Sequence, residues 1–387
     1  MKKKINILGS TGSIGNTTLK IIKSNSKLFT IETLMANKNF YEIKKQIYLY
    51  NPKNFIVSNY DTYLKVAKKF KKKNVKIYNH FESVKINEKI DITVAAIPGL
   101  AGLKPTLKFT KKSKTLLIAN KETVICGWKL LSNIVKKYKI KVIPIDSEHF
   151  SIMKLIEKTK KNEVEKIYIT ASGGPFLKKK IKDFKKITPS QALKHPKWSM
   201  GKKISIDSAT MMNKIFEILE AERIFSYPLS MFKIIIHPQS LIHAIVKFKN
   251  GITKFLYHEP DMSVPISNAI FGDEISKVQG VKKREIDLRK IEFFNVDKKK
   301  FPSMKLLPYL EKYPSTPIIL NAANEILVDQ FLKKKIRFNG IIEQLLLVLK
   351  DKNYKKYAIQ KPNNLKSIYS VDLWTRNVVN LGLKKYD

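Results

Sequence analysis

Between Lys4 and Asp146 the chain alternates short apolar runs with amphipathic ones, and this alternation leaves few folds open. Ile5-Asn6-Ile7-Leu8 reads as a strand and Ile14 to Ser24 as a helix. Thr30 to Met35 followed by Phe40 to Tyr50 repeats the pair, and Phe55-Ile56-Val57 with a helix around Tyr63 to Phe70 repeats it again. Asp91 to Ile97, Thr115 to Ala119 and Lys141 to Ile145 supply further short apolar strands. Strands that alternate with helices form a parallel, doubly wound sheet with both faces covered.

The rest of the chain divides by pattern. Residues 1–146 are the doubly wound domain. Residues 147–271 form a second α/β unit, with strands at Ile167-Ile169, Ile234-Ile236, Ala244-Phe248 and Lys254-Tyr257. Residues 272–300 are Lys-rich and irregular and read as a linker. Residues 301–387 turn helical, at Lys305-Glu311, Ile318-Lys333, Ile341-Leu349 and Leu373-Leu383, and make a small bundle. The expected fold class is therefore α/β: a Rossmann-like N-terminal domain, a central α/β domain and a C-terminal helical bundle.

The charge is the oddest feature of the composition. Lys and Arg number 75 against 32 Asp and Glu, a net charge of +43, and all but five of the cations are Lys. Sequence readers of nucleic acid lean on Arg, and single-strand binders interleave basic with aromatic residues in a groove. Here Lys is spread over the whole length, so we read a solvated surface that attracts anionic ligands and no nucleic-acid partner. The one cysteine, Cys126, allows no disulfide within the chain and fits a reducing, cytoplasmic setting. The apolar run after Met-Lys-Lys-Lys ends after four residues in a glycine turn, so it is no signal segment. No membrane span is expected, because no apolar run reaches the necessary length.

Gly9-Ser10-Thr11-Gly12-Ser13-Ile14-Gly15 has the spacing G-x-x-G-x-x-G between a strand and a helix. Such glycines let a backbone approach a pyrophosphate seated on the helix N-terminus. A plain tight turn is the competing reading. The second strand ends in Ala36-Asn37-Lys38-Asn39, where an NAD site would carry an acid for the ribose hydroxyls. A cation and amides there favour a 2′-phosphate, and hence NADPH.

Asp146-Ser147-Glu148 follows a strand at its C-terminal end, where ligands collect in open α/β sheets. Read as extended, the segment points both carboxylates one way. With Glu217 they make a hard oxygen set without Cys or His, suited to Mg²⁺ or Mn²⁺. The alternative is that Asp146 or Glu148 caps the next helix. Asn120-Lys121-Glu122 lies on the same rim. Ser172-Gly173-Gly174-Pro175-Phe176 offers amides and a hydroxyl, as phosphate sites do. His195-Pro196-Lys197-Trp198-Ser199-Met200-Gly201 brackets a Trp with Pro and Gly, either as a mobile flap or around a core Trp.

Lys203 to Glu217, KISIDSATMMNKIFE, reads as a strand Ile204-Ile206 running into a helix capped by Asp207 or Ser208. Thr210, Asn213, Glu217 and Glu220 then share one face, with Lys214 beside them. An ordinary solvent face is one reading. A ligand-facing surface is the other, because solvent faces elsewhere in the chain are written almost entirely in Lys.

Taken together, GSTGSIG, LIANKE, PIDSEH, SGGPF, HPKWSMG, KISIDSATMMNK, HPQS at 237–240, PDM at 260–262 and NAANE at 321–325 resemble, in order and over nearly the whole chain, the 1-deoxy-D-xylulose 5-phosphate reductoisomerase family. The resemblance implies an NADPH-dependent enzyme that rearranges 1-deoxy-D-xylulose 5-phosphate to a branched aldehyde. Reduction then gives 2-C-methyl-D-erythritol 4-phosphate in the non-mevalonate isoprenoid route. Residue by residue, it implies coenzyme contacts at Thr11, Gly12, Ser13, Ile14, Lys38, Asn39, Asn120, Glu122 and Gly201. It implies a metal on Asp146, Glu148 and Glu217, with Mg²⁺ or Mn²⁺ favoured and Co²⁺ a third option. Ser172, Ser208, Asn213 and Lys214 match the phosphate pocket, with His195 at its edge. Lys121 and Ser147 match contacts to the sugar chain, and Trp198 and Met200 lie in the flap. Lys121, Asp146, Glu148 and Glu217 are the expected catalytic group. The expected partners are a sugar phosphate and, as a homodimer, a second copy. The chain departs from the family's usual Gly at Asn37, on the coenzyme side, and from its usual Gly-Leu at Ile215-Phe216. Two other classes compete with this reading: a different Rossmann dehydrogenase, for which Cys126 would need a partner base, and a Lys-rich nucleic-acid binder.

Overall fold

The protein is described by a computed structural model, which covers residues 2–198, 200–272, 274 and 291–383. It divides into two compact units. The first comprises Met1–Thr123, Leu130–Phe150 and Asp261–Glu285, and the second Val124–Lys129, Ser151–Pro260 and Ile286–Asp387. Part of the expected linker, residues 275–290, lies outside the described residues.

The first unit holds seven parallel strands: β1 (Lys3–Leu8), β2 (Phe29–Ala36), β3 (Asn54–Val57), β4 (Lys76–Tyr78), β5 (Ile90–Ala95), β6 (Ser113–Ile118) and β7 (Lys141–Pro144). Their order is β4-β3-β2-β1-β5-β6-β7. The strand order steps outward from β1 to β4 on one side and from β5 to β7 on the other, so β1 and β5 flank the point where the order reverses. Ile5, Ile7, Leu34, Phe55, Ile56, Val94 and Leu117 are fully buried, as a sheet covered on both faces requires. The helix Phe40–Tyr50 has the expected bounds, and Tyr60–Phe70 starts a turn earlier than its apolar pattern because Asn59 caps it through Thr62 N at 3.0 Å. The sequence pattern missed the short strand β4 and the long helix Lys121–Tyr138. The helix Ser263–Phe271 returns to this unit, packs on the helix Ser13–Ser24, and sets Phe271 edge-on to Phe29 at 5.6 Å.

The second unit is built on a five-stranded sheet: β8 (Val164–Ala171), β9 (Phe232–Ile236), β10 (Ile242–Phe248), β11 (Thr253–Tyr257) and β12 (Phe294–Asn295). The order is β11-β10-β8-β9-β12; β8 and β9 are parallel and the other pairs antiparallel. The helix Met212–Phe225 lies against β8, and Ile218 and Ala221 bury with Ile167, Ile169, Ala244 and Val246. The C-terminal part is helical as expected, at Thr316–Leu332, Gly340–Val348, Tyr354–Ala358 and Leu365–Leu383. No helix among the described residues is long and apolar enough to cross a membrane.

The expectation for KISIDSATMMNK is corrected. Ile204-Ile206 is no strand: a helix runs from Lys202 to Ala209, and a second from Met212 to Phe225. The β-branched pattern is overridden by contacts that need a helix. Lys203 Nζ reaches Asp207 Oδ2 at 2.9 Å across one turn, and Asn324 Nδ2 donates to Asp207 Oδ1 at 2.7 Å. The break between the helices falls at Met211, a buried residue with φ +62°. Ser208 is therefore on the last turn of the first helix and caps nothing. Thr210 lies outside the second helix, its hydroxyl donating back to Ile206 O at 3.0 Å.

Candidate active site

Several segments lie on one rim of the first unit, at the C-terminal ends of its parallel strands. After β1, Gly9 adopts φ +90°, and a Cβ there would stand 2.5 Å from Ala96 O. A Cβ on Gly15 would stand 2.3 Å from Gly9 O. Both positions therefore require glycine, which is the tight packing a phosphate-binding turn needs. Gly12 has room, with Gly9 O at 3.4 Å. It is the N-cap of Ser13–Ser24 with no side-chain cap, so the first amides of that helix stay open toward an anion. A buried residue that the sequence pattern missed braces the loop. Gln46 accepts from Ser10 Oγ at 2.7 Å and donates to Ser10 O at 2.9 Å and to Asn16 Oδ1 at 3.1 Å. Its signal was faint: one amide among the lysines of an amphipathic helix.

Beyond β2, Asn37, Lys38 and Asn39 are exposed. Asn39 caps the following helix, accepting from Glu42 N at 3.2 Å. After β6, Asn120 is buried and heavily committed. Its Oδ1 accepts from Thr123 N at 2.6 Å, and its Nδ2 donates to Ile97 O, to Gly99 O at 3.1 Å and to Glu122 Oε2 at 3.3 Å. It fastens the loop after β5 to the loop after β6.

After β7 the Asp146-Ser147-Glu148 segment is not extended. A helix runs from Ser147 to Ile156, and Glu148 N donates to Asp146 Oδ1 at 3.3 Å. The helix-cap reading holds for Asp146, but its carboxylate is not used up by the cap. Lys121 Nζ stands 3.4 Å from Asp146 Oδ2, with both side chains mostly shielded. Ser147 Oγ donates to the Glu148 carboxylate. The expectation of no His in the cluster is also corrected: in a helix, position 149 returns beside 146, and His149 Nδ1 lies 3.4 Å from Asp146 Oδ1. Two carboxylates, an ammonium and an imidazole thus converge on one strand end.

In the second unit the polar face of Met212–Phe225 is buried, which settles against an ordinary solvent face. Glu217 and Glu220 are 1% exposed and Lys214 6%. Lys214 Nζ lies 2.6 Å from Glu217 Oε2, and Asn213 Nδ2 donates to Glu217 Oε1. The Ser172 turn lies close by. Gly173 and Gly174 have φ +79° and +66°, and a Cβ on Gly174 would stand 3.1 Å from Ser208 O and from Ala209 Cα. Glycine lets the turn rest on the last turn of the Lys202–Ala209 helix, which brings Ser172 and Ser208 into one neighbourhood.

His195 Nε2 is 2.9 Å from Ser172 Oγ, which also accepts from Gly174 N at 3.1 Å. Burial, with a smaller push from the Lys214 ammonium, lowers the pKa of His195 from the ordinary 6.5 to about 4. Trp198 is half-buried, its ring edge-on to that of His243 at 5.9 Å. His243 in turn stacks on His258 at 3.8 Å. Burial holds the pKa of His243 well below the usual imidazole range. Met200 is half-buried, and Gly201 is the N-cap of the Lys202–Ala209 helix, with nothing within 4 Å of a Cβ there.

Family models match the chain in three consecutive stretches. Residues 5–127 match 1-deoxy-D-xylulose 5-phosphate reductoisomerase, residues 142–225 its C-terminal domain, and residues 258–378 the DXP reductoisomerase C-terminal domain. The 1-deoxy-D-xylulose 5-phosphate reductoisomerase of Pelagibacter ubique is 47% identical over 378 residues, covering 96% of this chain and 97% of the relative. That of Wolbachia pipientis from Culex pipiens is 38% identical, with 99% and 98% covered. A crystal structure of DOX-P reductoisomerase with NADPH, fosmidomycin and magnesium matches at a TM-score of 0.92 and 31% identity, covering 99% of this chain and 98% of that one. The Zymomonas mobilis enzyme with NADPH matches at a TM-score of 0.88 and 32% identity, with 99% of each chain covered.

Proposed function

The chain belongs to the 1-deoxy-D-xylulose 5-phosphate reductoisomerase family, and from that premise we propose how its own residues divide the work. It is an NADPH- and magnesium-dependent oxidoreductase that rearranges and reduces 1-deoxy-D-xylulose 5-phosphate to 2-C-methyl-D-erythritol 4-phosphate. The observation that carries the division of labour is the rim of the first unit. A glycine loop with open amides stands there at the end of β1, and the Lys121–Asp146 pair at the ends of β6 and β7.

The residues present fit both groups that the reaction needs. Close backbone packing at Gly9 and Gly15 shapes the turn, the uncapped N-terminus of Ser13–Ser24 suits a pyrophosphate, and the exposed Lys38, in the acid-free run Ala36-Asn37-Lys38-Asn39, suits a 2′-phosphate. Asp146 and Glu148 offer hard oxygen donors. We assign the divalent ion to these two carboxylates together with Glu217, and NADPH to Thr11, Gly12, Ser13, Ile14, Asn37, Lys38, Asn39, Glu122 and Gly201. Asn120 acts by holding the two loops that border the coenzyme, since its amide is already engaged by backbone. When bound, the ion supplies polarisation of the substrate's carbonyl and hydroxyl oxygens and NADPH supplies the hydride.

The remaining work falls to side chains. Lys121 holds a positive charge beside Asp146 and stabilises negative charge as it develops on substrate oxygen. Ser147 orients Glu148. Lys214 and Asn213 position Glu217, and with Ser172 and Ser208 they take the substrate phosphate, whose binding energy anchors a flexible molecule. Trp198 and Met200 cover the bound substrate and exclude water.

NADPH consumption with 1-deoxy-D-xylulose 5-phosphate should require Mg²⁺ and stop with a chelator. Turnover that survives exhaustive chelation would overturn the carboxylate assignment. We read the protein further as a cytoplasmic homodimer. The support is the single, buried Cys126 and the exposed Phe255 and Phe294 on the two edge strands of the second sheet. Sedimentation at the mass of one chain would refute the dimer.

A further inference from the structure

The hydrogen bonds around His195 fix its tautomer. Lys197 N and Trp198 N both point at His195 Nδ1, at 3.2 and 2.9 Å. Backbone amides only donate, so Nδ1 accepts and carries no proton. The ring proton is then on Nε2, which donates to Ser172 Oγ at 2.9 Å. Gly174 N donates to the same oxygen at 3.1 Å. A hydroxyl has two acceptor sites and one hydrogen. With both acceptor sites taken, Ser172 has only its O–H to offer, and it offers it as a donor.

We infer that His195 is a positioning residue that links the Lys197–Trp198 backbone to the phosphate pocket: it holds Ser172 as an obligate donor toward the anion only while its Nδ1 accepts from that backbone. The inference rests on the phosphate role given above to Ser172. It gives His195 a task that needs no contact with the substrate. Burial supports it independently, since the ring stays neutral through ordinary pH and the tautomer is not disturbed by protonation. The arrangement also selects. A phosphate or phosphonate accepts the Ser172 hydrogen, whereas a ligand that presents a donor meets an oxygen with no acceptor site left.

Two substitutions separate the arms. The Oδ1 of His195→Asn stands near the place of Nδ1 and keeps the backbone acceptor, but nothing reaches Ser172. The amide of His195→Gln reaches Ser172 as a donor, but it leaves Lys197 N and Trp198 N without an acceptor. The full-length chain carrying Trp128→Phe and Trp374→Phe serves as parent, with inorganic phosphate as the probe, its Kd read by calorimetry and Trp198 by fluorescence. His195→Asn should weaken phosphate by about tenfold and leave ligand-free Trp198 emission unchanged. His195→Gln should keep phosphate affinity within about threefold, and shift Trp198 emission and its quenching by iodide. Added to Ser172→Ala, His195→Asn should cost nothing further, because the two act as one unit.

Equal losses of phosphate affinity in the two variants, or an additive loss on the Ser172→Ala background, would overturn the link and make His195 a direct ligand or a packing residue. Unchanged phosphate binding in both would overturn it as well. A parent that binds no phosphate would instead show that the phosphate pocket itself is misassigned, and the link would fall with it. Unfolding temperatures of all variants identify any loss that comes from the fold.

Discussion

Each unit carries a turn with two demanding glycines, and the turns present polar groups by opposite means. In the first unit, Gly9 and Gly15 are required because backbone passes within 2.5 and 2.3 Å of where their Cβ atoms would be. The groups this turn presents are backbone amides. In the second unit, Gly173 and Gly174 are required by positive φ, and the group presented is a side chain that another holds, Ser172 by His195, as Lys214 and Asn213 hold Glu217 on the nearby helix. A backbone site is built by local chain geometry and needs few partners. A side-chain site is built by a buried polar network, and each member that is lost leaves its partner exposed to the cost of burial.

The difference predicts unequal sensitivity, and the largest effect should be in the second unit. Glu217→Gln removes one expected metal donor and strips the buried Lys214 of this counter-charge. Breaking such a pair costs the fold about 3–5 kcal/mol, and the loss of a carboxylate donor should abolish turnover while NADPH affinity is kept. Near-parental activity at low Mg²⁺ would break the contrast at its stronger end.

Next comes the glycine loop. Gly15→Ala forces a methyl against Gly9 O and should weaken NADPH by about 2 kcal/mol, roughly thirtyfold, as overpacking does. Gly12→Ala should leave the unfolding midpoint nearly unchanged, because within the protein it meets only ordinary contact. Phosphate binding to the second unit should not change in either variant. If Gly12→Ala destabilises the fold as much as Gly15→Ala does, steric necessity is not what the turn's spacing records.

A smaller effect is expected where the coenzyme end is exposed. Lys38→Ala should lower the ratio of kcat/KM for NADPH over NADH by about fivefold, on the scale of 1 kcal/mol for an exposed charge pair. An unchanged ratio would show that the 2′-phosphate is read elsewhere.

The last effect is a pH dependence of stability. His195 has a folded-state pKa of about 4, below its ordinary 6.5. Between these values the unfolded chain binds a proton that the folded chain refuses, so stability rises with pH. The contribution is complete above about pH 6.5 and is lost as pH falls toward 4. Denaturant midpoints of the parent should therefore fall relative to those of His195→Asn on going from pH 7 to 4.5. Parallel curves would show that the ring is not buried neutral.

Much of this was legible before any coordinates. The alternation of apolar and amphipathic runs placed every strand of the first sheet except β4, whose three residues are too few for a pattern. The spacing of Gly9, Gly12 and Gly15 marked the turn between β1 and the next helix. The resemblance carried by nine ordered motifs led to the family. What failed was local reading where tertiary contacts decide. Ile204-Ser205-Ile206 alternates like a strand, yet Asp207 is tied to Lys203 and to Asn324, more than a hundred residues away, and the segment is a helix. Asp146 and Glu148 looked like neighbours on an extended edge, yet Asp146 starts a helix, which is why His149 joins it.

The sequence by itself determined the sheet, the glycine turn and the identity of the donor atoms, because these follow from side-chain periodicity, from the freedom of glycine and from chemistry that travels with the residue. Only the tertiary structure decided which partner each donor has. Gln46 under the Ser10 loop, Asn324 on Asp207 and His195 on Ser172 are pairings across 36, 117 and 23 residues. No local preference encodes them. They arise because a buried polar atom must find a partner, and packing settles which one is within reach.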